Sequence, residues 1–190
     1  MAQPPPLKSL DDLLAQAEHY AGWAMRKIGN VPPTMMALSP RGPLFFVPSA
    51  MTDDRAKDNF ANTARLICVA HDATALVMIL EAWMNCAPPG ETLDMQERPS
   101  EAIGRREIVM LTGESRSSCK HKLLPIIRTD AGGFFGFGEF DSPAPDSFQG
   151  RFAEILPPKR PTKEMRNKAR MLLAVIGITD AALRNDPTNN

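Results

Sequence analysis

The chain is short of the features that most quickly betray a function. It has three cysteines, at 68, 86 and 119, with no close pair and no C-x-x-C spacing. An odd count without pairing argues against a disulfide framework and for a reducing compartment. It offers no recognisable set of zinc ligands, which needs about four converging N or S donors. It has no net charge, with 22 basic against 22 acidic residues. That excludes the strong basic field of a wholesale nucleic-acid binder, though not a local basic patch. No run approaches the roughly 18 apolar residues of a membrane span. The opening MAQPPPLKSLDD lacks the apolar centre of a secretory leader, and a soluble cytoplasmic protein is expected. Internal repeats and low-complexity tracts are missing too.

What the chain has is apolar residues and proline. At 43% hydrophobic, its 190 residues can fill one core. The simplest expectation is one globular domain over residues 1–185, with a disordered tail at 186–190. The 18 prolines cluster between elements and serve as boundaries, because proline lacks a backbone donor and fixes φ.

Residues 9–28 read as an amphipathic helix. Ser9 is the expected N-cap, Asp11 and Asp12 fall in the first turn, and Arg26 and Lys27 in the last. Its inner stripe is Leu10, Leu13, Leu14, Ala17, Ala21, Met25 and Ile28. Leu44 to Val47 reads as a short strand, placed at an edge by its flanking prolines. A second helix opens at 52–54 and carries Ala56, Phe60, Ala64, Ile67 and Cys68 inward. Residues 74–83 are apolar on both possible faces, and a central strand is preferred over a helix because later strands need a partner. Trp83 is expected to be buried there. Residues 86–104 are a long polar connection.

Strands are then expected at 106–112, 120–128 and 134–139, the last two forming a hairpin across Thr129-Asp-Ala-Gly-Gly133. Pro125 places its strand at an edge or a bulge. Residues 141–161 are proline-rich, with Phe148, Phe152 and Ile155 as anchors. Thr162 caps a last helix over 163–176, with Met165, Ala169, Leu172, Leu173 and Ile176 inward. The fold class that follows is α+β: a mostly antiparallel sheet of four to five strands with helices packed against it.

Chemistry is harder to find. Gly133-Phe-Phe-Gly136-Phe-Gly138 has the glycine order of the dinucleotide fingerprint reversed, and it sits inside a strand. Glycines there mark a bulge or a close approach. Exposed phenylalanines would form a base-stacking platform, but core phenylalanines are commoner. His71-Asp72 with His19 is a chance match to a metal phosphohydrolase pattern, and His71 suits a helix end better. Cys119 lies beside Lys120 and His121, and nearby positive charge lowers a thiol's pKa. Alternation, however, puts Cys119 and His121 on one strand face and Lys120 on the other. Gly113-Glu-Ser115-Arg-Ser117 lacks the second glycine of a nucleophile elbow and reads as a loop. Glu81, in the most apolar run, either faces water at a strand end or pairs with an arginine such as Arg98, Arg105 or Arg106. Lys159 to Arg170 holds six basic residues and one acidic residue; Lys163, Arg166 and Arg170 share a helix side.

Five phrases occur together: Leu66-Ile-Cys-Val-Ala-His71, Glu81-Ala-Trp-Met84, Arg98-Pro-Ser-Glu101, Arg105-Arg-Glu-Ile-Val-Met110 and Ile127-Arg-Thr-Asp130. Residues 44–140, which contain them, resemble an uncharacterised family of small proteins carried by bacteria, phages and plasmids. No catalytic residue or cofactor carries over from it. The resemblance implies a mobile-element accessory protein that binds a host protein or nucleoprotein complex, in the manner of an anti-CRISPR inhibitor. Lys163, Arg166 and Arg170 are then the candidate binding residues. Two alternatives stand beside it. One is a small hydrolase or nuclease using Glu81, Arg105, Glu107 and His121. The other is a nucleic-acid binder using the basic C-terminal helix.

Overall fold

A computed structural model describes residues 7–85, 101, 105–140 and 150–184. The fold is α+β, built on one antiparallel sheet with a helical layer on each face. The elements in chain order are α1 (Leu10–Lys27), β1 (Thr34–Ser39), β2 (Gly42–Phe46), α2 (Asp54–Ala70), β3 (Ala75–Met84), β4 (Arg106–Ser115), β5 (Cys119–Arg128), β6 (Phe134–Phe137), α3 (Lys163–Val175) and α4 (Asp180–Leu183). The sheet has six strands in the order β2-β1-β3-β4-β5-β6, rather than the four or five expected.

The added strand is β1, Thr-Met-Met-Ala-Leu-Ser, buried at every position. It pairs with β2 as a hairpin on one side and with β3 on the other. It lacks alternation because both of its faces are covered, and methionine and alanine give little strand signal. The run 74–83 is indeed a strand, and β3 lies third in the sheet with its first six residues buried. β5 is not an edge: it lies between β4 and β6, with a register shift at Ile127/Arg128.

α1 starts where expected. The Asp12 N–H donates to Ser9 Oγ (3.1 Å), and the Ser9 N–H donates to Asp12 Oδ2 (3.0 Å), closing a capping box. The helix ends at Ile28 and Gly29, whose φ of +87° suits glycine. Ile28 itself is exposed, while Tyr20 and Ala24 are buried instead. α1 covers one face of the sheet, packing on Val77, Ile79, Val109 and Leu111. Gly113 lies beneath it, where an added Cβ would sit 3.0 Å from Leu10 Cδ1. α2 and α3 pack with the other face, over Met35, Leu76 and Met78; Ile155 and Leu156 join this layer from the chain before α3. The anchors Phe152 and Ile155 thus sit as expected, whereas Phe148, the 86–100 connection and the tail lie outside the described residues.

Candidate binding surface

α3 is fixed at its start by Thr162, whose Oγ1 accepts from the Met165 N–H at 3.2 Å. It packs on α2 through a narrow edge, because only Ala169 and Leu173 are buried along it. Met165, Leu172 and Ile176, expected inward, face solvent. Met171, Leu172, Val175 and Ile176 are 70%, 44%, 83% and 54% exposed. The helix shows water more large apolar side chains than it buries. The misassignment has a simple cause: apolar residues cover so wide an arc of α3 that periodicity cannot say which part meets the core.

Of the three cations proposed for binding, Lys163 and Arg170 are exposed, whereas Arg166 is not free to reach a partner. Arg166 Nη1 donates to the Pro161 carbonyl at 2.8 Å and lies 3.9 Å from Asp72 Oδ2. Asp72 follows the C-cap of α2 in left-handed backbone (φ 54°), a conformation aspartate tolerates better than most residues. Its nearly buried carboxylate also receives Arg160 at 2.7 Å and Arg116 at 3.5 Å. Arg116 donates to the Ala73 carbonyl as well, at 2.8 Å. One carboxylate therefore ties together the end of α2, the β4–β5 turn, the chain before α3 and α3 itself. His71, the C-cap, lies 3.6 Å from Asp180. Burial pushes its pKa down, opposed by Asp180, while Arg184, Arg170 and Arg41 push it further down. His19 is exposed on α1, across the sheet from α2, so no histidine–aspartate metal site forms with His71.

The proposed catalytic cluster is divided. Glu81, Arg105 and Glu107 lie at one end of the β3–β4 pair, while His121 sits opposite Thr112, towards the other end. Glu81 Oε2 accepts from the Val31 N–H at 2.8 Å, and Glu81 shares a hydrogen bond with Glu107. Burial raises the Glu81 pKa, and the Glu107 charge adds to the rise. Glu107 is held low by hydrogen bonding to Arg128, whose Nε donates to Glu107 Oε2 at 2.7 Å. The two carboxyls are thus pushed in opposite directions, Glu81 towards its neutral form and Glu107 towards its ionised form. Arg105 is directed elsewhere, its guanidinium 5.0 Å from the Trp83 ring centroid. Trp83 is 45% exposed, not buried, since the apolar stretch of β3 ends at Leu80. Glu81 is therefore partnered by a backbone N–H and a second carboxyl, not by Arg105 or Arg106; Arg98 lies outside the described residues.

Cys119 and His121 do share a face, with Sγ and Nε2 3.6 Å apart, and Lys120 points away to Asp11 on α1 at 2.6 Å. They line a cleft of about 650 Å³ together with Glu114, Arg116, Glu154 and Leu156. Burial raises the thiol's pKa, and the Glu114 charge adds to it; burial lowers that of the imidazole. Both shifts favour a neutral thiol beside a neutral imidazole, the opposite of an activated thiolate. The residues 113–117 begin inside β4 rather than forming a loop, with the turn at 116–118. Cys68 is fully buried, its pKa pushed up to about 12. Among the described residues no group of three or more His, Cys, Asp or Glu side chains is placed to hold a metal ion. Phe134 and Phe137 pack edge to face at 5.1 Å on the α1 layer, which leaves Phe135 as the one exposed ring of the glycine-rich strand. No helix among the described residues is long and apolar enough to cross a membrane.

No protein-family profile matches the chain, and no match is found among curated proteins or solved structures.

Proposed function

We propose that this protein is a non-enzymatic binding module that docks through α3 on a host protein or nucleoprotein complex. The observation that carries the reading is the uncovered part of the apolar arc of α3: Met171, Leu172, Val175 and Ile176 face water, while Ala169 and Leu173 alone are buried along the helix. Exposed apolar residues grouped on one element mark interaction surfaces. Lys163 and Arg170 are exposed together on the side of α3 away from this patch, and add positive charge that steers an acidic partner at longer range. The resemblance of residues 44–140 to mobile-element proteins makes an anti-defence role the first to examine, with a CRISPR effector as the first partner. The enzymatic alternative is weaker. Its carboxyl pair is occupied internally, its arginine lies over Trp83, and its histidine is towards the other end of the strand pair.

Site-specific photo-crosslinking in bacterial cells tests the reading. A crosslinker replacing Val175 should yield a discrete adduct that one replacing Asp130, in the β5–β6 turn, does not. Lys163→Glu with Arg170→Glu should reduce that adduct while leaving the thermal midpoint within a few degrees. Equal labelling from both positions would remove α3 from the function.

A further inference from the structure

The exposed residues of α3 have an order as well as an area. Met165, Lys168, Leu172 and Val175 follow at intervals of three, four and three, so they form one straight seam along the helix. Met171 and Ile176 lie beside it. All six are exposed. Seven residues separate Met165 from Leu172 and Lys168 from Val175, the spacing of a seam that receives the knobs of a second helix. The two methionines are unbranched and conform to varied surfaces. The seam is interrupted at one place only, by the charge of Lys168, which makes no ion pair among the described residues.

That lysine selects the occupant. In a pairing of two copies of this chain, each Lys168 would lose water inside the seam. The one acidic residue of α3, Glu164, lies off the seam to one side. Burying two cations without partners is costly. A nucleic-acid backbone would answer the lysine but not the five apolar side chains around it. An amphipathic helix with a carboxylate in its apolar face answers both. We infer that α3 takes up an amphipathic helix of a partner protein, apolar along one side and carrying an acidic residue that meets Lys168. This inference rests on the docking role of α3 and adds the class of partner.

The test is a charge swap on the full-length protein. Two synthetic helical peptides would be used, each with leucine along one face, one with glutamate and the other with lysine at the middle position of that face. A random-sequence duplex oligonucleotide is the third probe. Binding is read by fluorescence anisotropy and the protein's own association state by analytical ultracentrifugation. The glutamate peptide should bind at least tenfold more tightly than the lysine peptide. Lys168→Glu should reverse that order, and Val175→Asp should abolish binding of both. Any of three results overturns the inference: a preference that Lys168→Glu does not reverse, duplex binding that exceeds peptide binding and survives Val175→Asp, or a wild-type dimer that Val175→Asp dissociates. Crosslinking from position 175 in cells separates the two levels. An adduct there with a failed charge swap leaves the docking role standing and removes only the helical partner.

Discussion

At the scale of single residues, the side chains that sequence reasoning singled out as chemically odd turn out to be held by neighbours it had no means to name. Glu81 is the clearest. Its apolar run marked it as either facing water or paired with an arginine, whereas its partners are the Val31 N–H and the Glu107 carboxyl. A backbone donor 50 residues away and a diagonal neighbour across a strand pair leave no local pattern. The arrangement has a pH signature. Burial raises the folded pKa of Glu81 above its ordinary value, so the folded chain binds more protons than the unfolded chain in the window between the two. Stability from this group is complete below the unfolded pKa and is lost as pH rises through the folded one. Glu81→Gln stays neutral and keeps an oxygen for Val31. It should therefore raise the thermal midpoint at pH 8 and leave it nearly unchanged near pH 4, where the wild-type carboxyl is already protonated in both states. An equal shift at both pH values would show that charge at position 81 is not what matters. Trp83 was legible as aromatic but not as surface, because the end of the buried stretch at Leu80 depends on where the covering layers stop.

At the scale of elements, legibility follows how local the determinants are. α1 was readable nearly to its last residue because Ser9, Asp12 and Gly29 set its ends through contacts a few residues long. The β5–β6 hairpin was readable for the same reason, since Thr129 and Gly133 close it within one turn. β1 was not, because a strand covered on both faces has no alternation to detect. α3 was found as a helix with Ala169 and Leu173 inward, as observed, but Met165, Leu172 and Ile176 were placed inward with them, and so the exposed seam went unrecognised. Two adjacent leucines test the observed orientation. Leu173 is fully packed against α2, so Leu173→Ala should cost about 2–5 kcal/mol, the range for a truncated core leucine. Leu172 is half in water, and Leu172→Ala should cost about 1 kcal/mol or less, its share of a partial burial. Urea titration of both variants measures the difference. Equal costs would mean that α3 is rotated about its axis from this orientation.

At the scale of the whole molecule, the sheet is what joins the parts. α1 covers one face and α2 with α3 covers the other, so the two apolar clusters share no residue. They nevertheless share strands: in β3, Val77 and Ile79 belong to the α1 layer, while Leu76 and Met78 belong to the α2 layer. Alternation along a strand makes this unavoidable, and it couples the layers, because uncovering either face exposes a strand that the other face needs. The chain should therefore unfold as one cooperative unit. Trp23 reports on the α1 side, stacked at 5.9 Å on buried Tyr20. Phe60 lies on the far side of the sheet, buried against Phe46 and Phe152. In a Trp83→Phe background, which leaves Trp23 as the only tryptophan, its fluorescence should lose structure at the same denaturant concentration as the far-ultraviolet circular dichroism. Phe60→Ala should cost about 3–5 kcal/mol, typical of a buried aromatic. It should move both transitions together, although no residue of the α1 layer has been altered. Were the Trp23 transition to stay in place while the dichroism moved, the two layers would be separate folding units, and the shared strands would not be transmitting stability across the sheet.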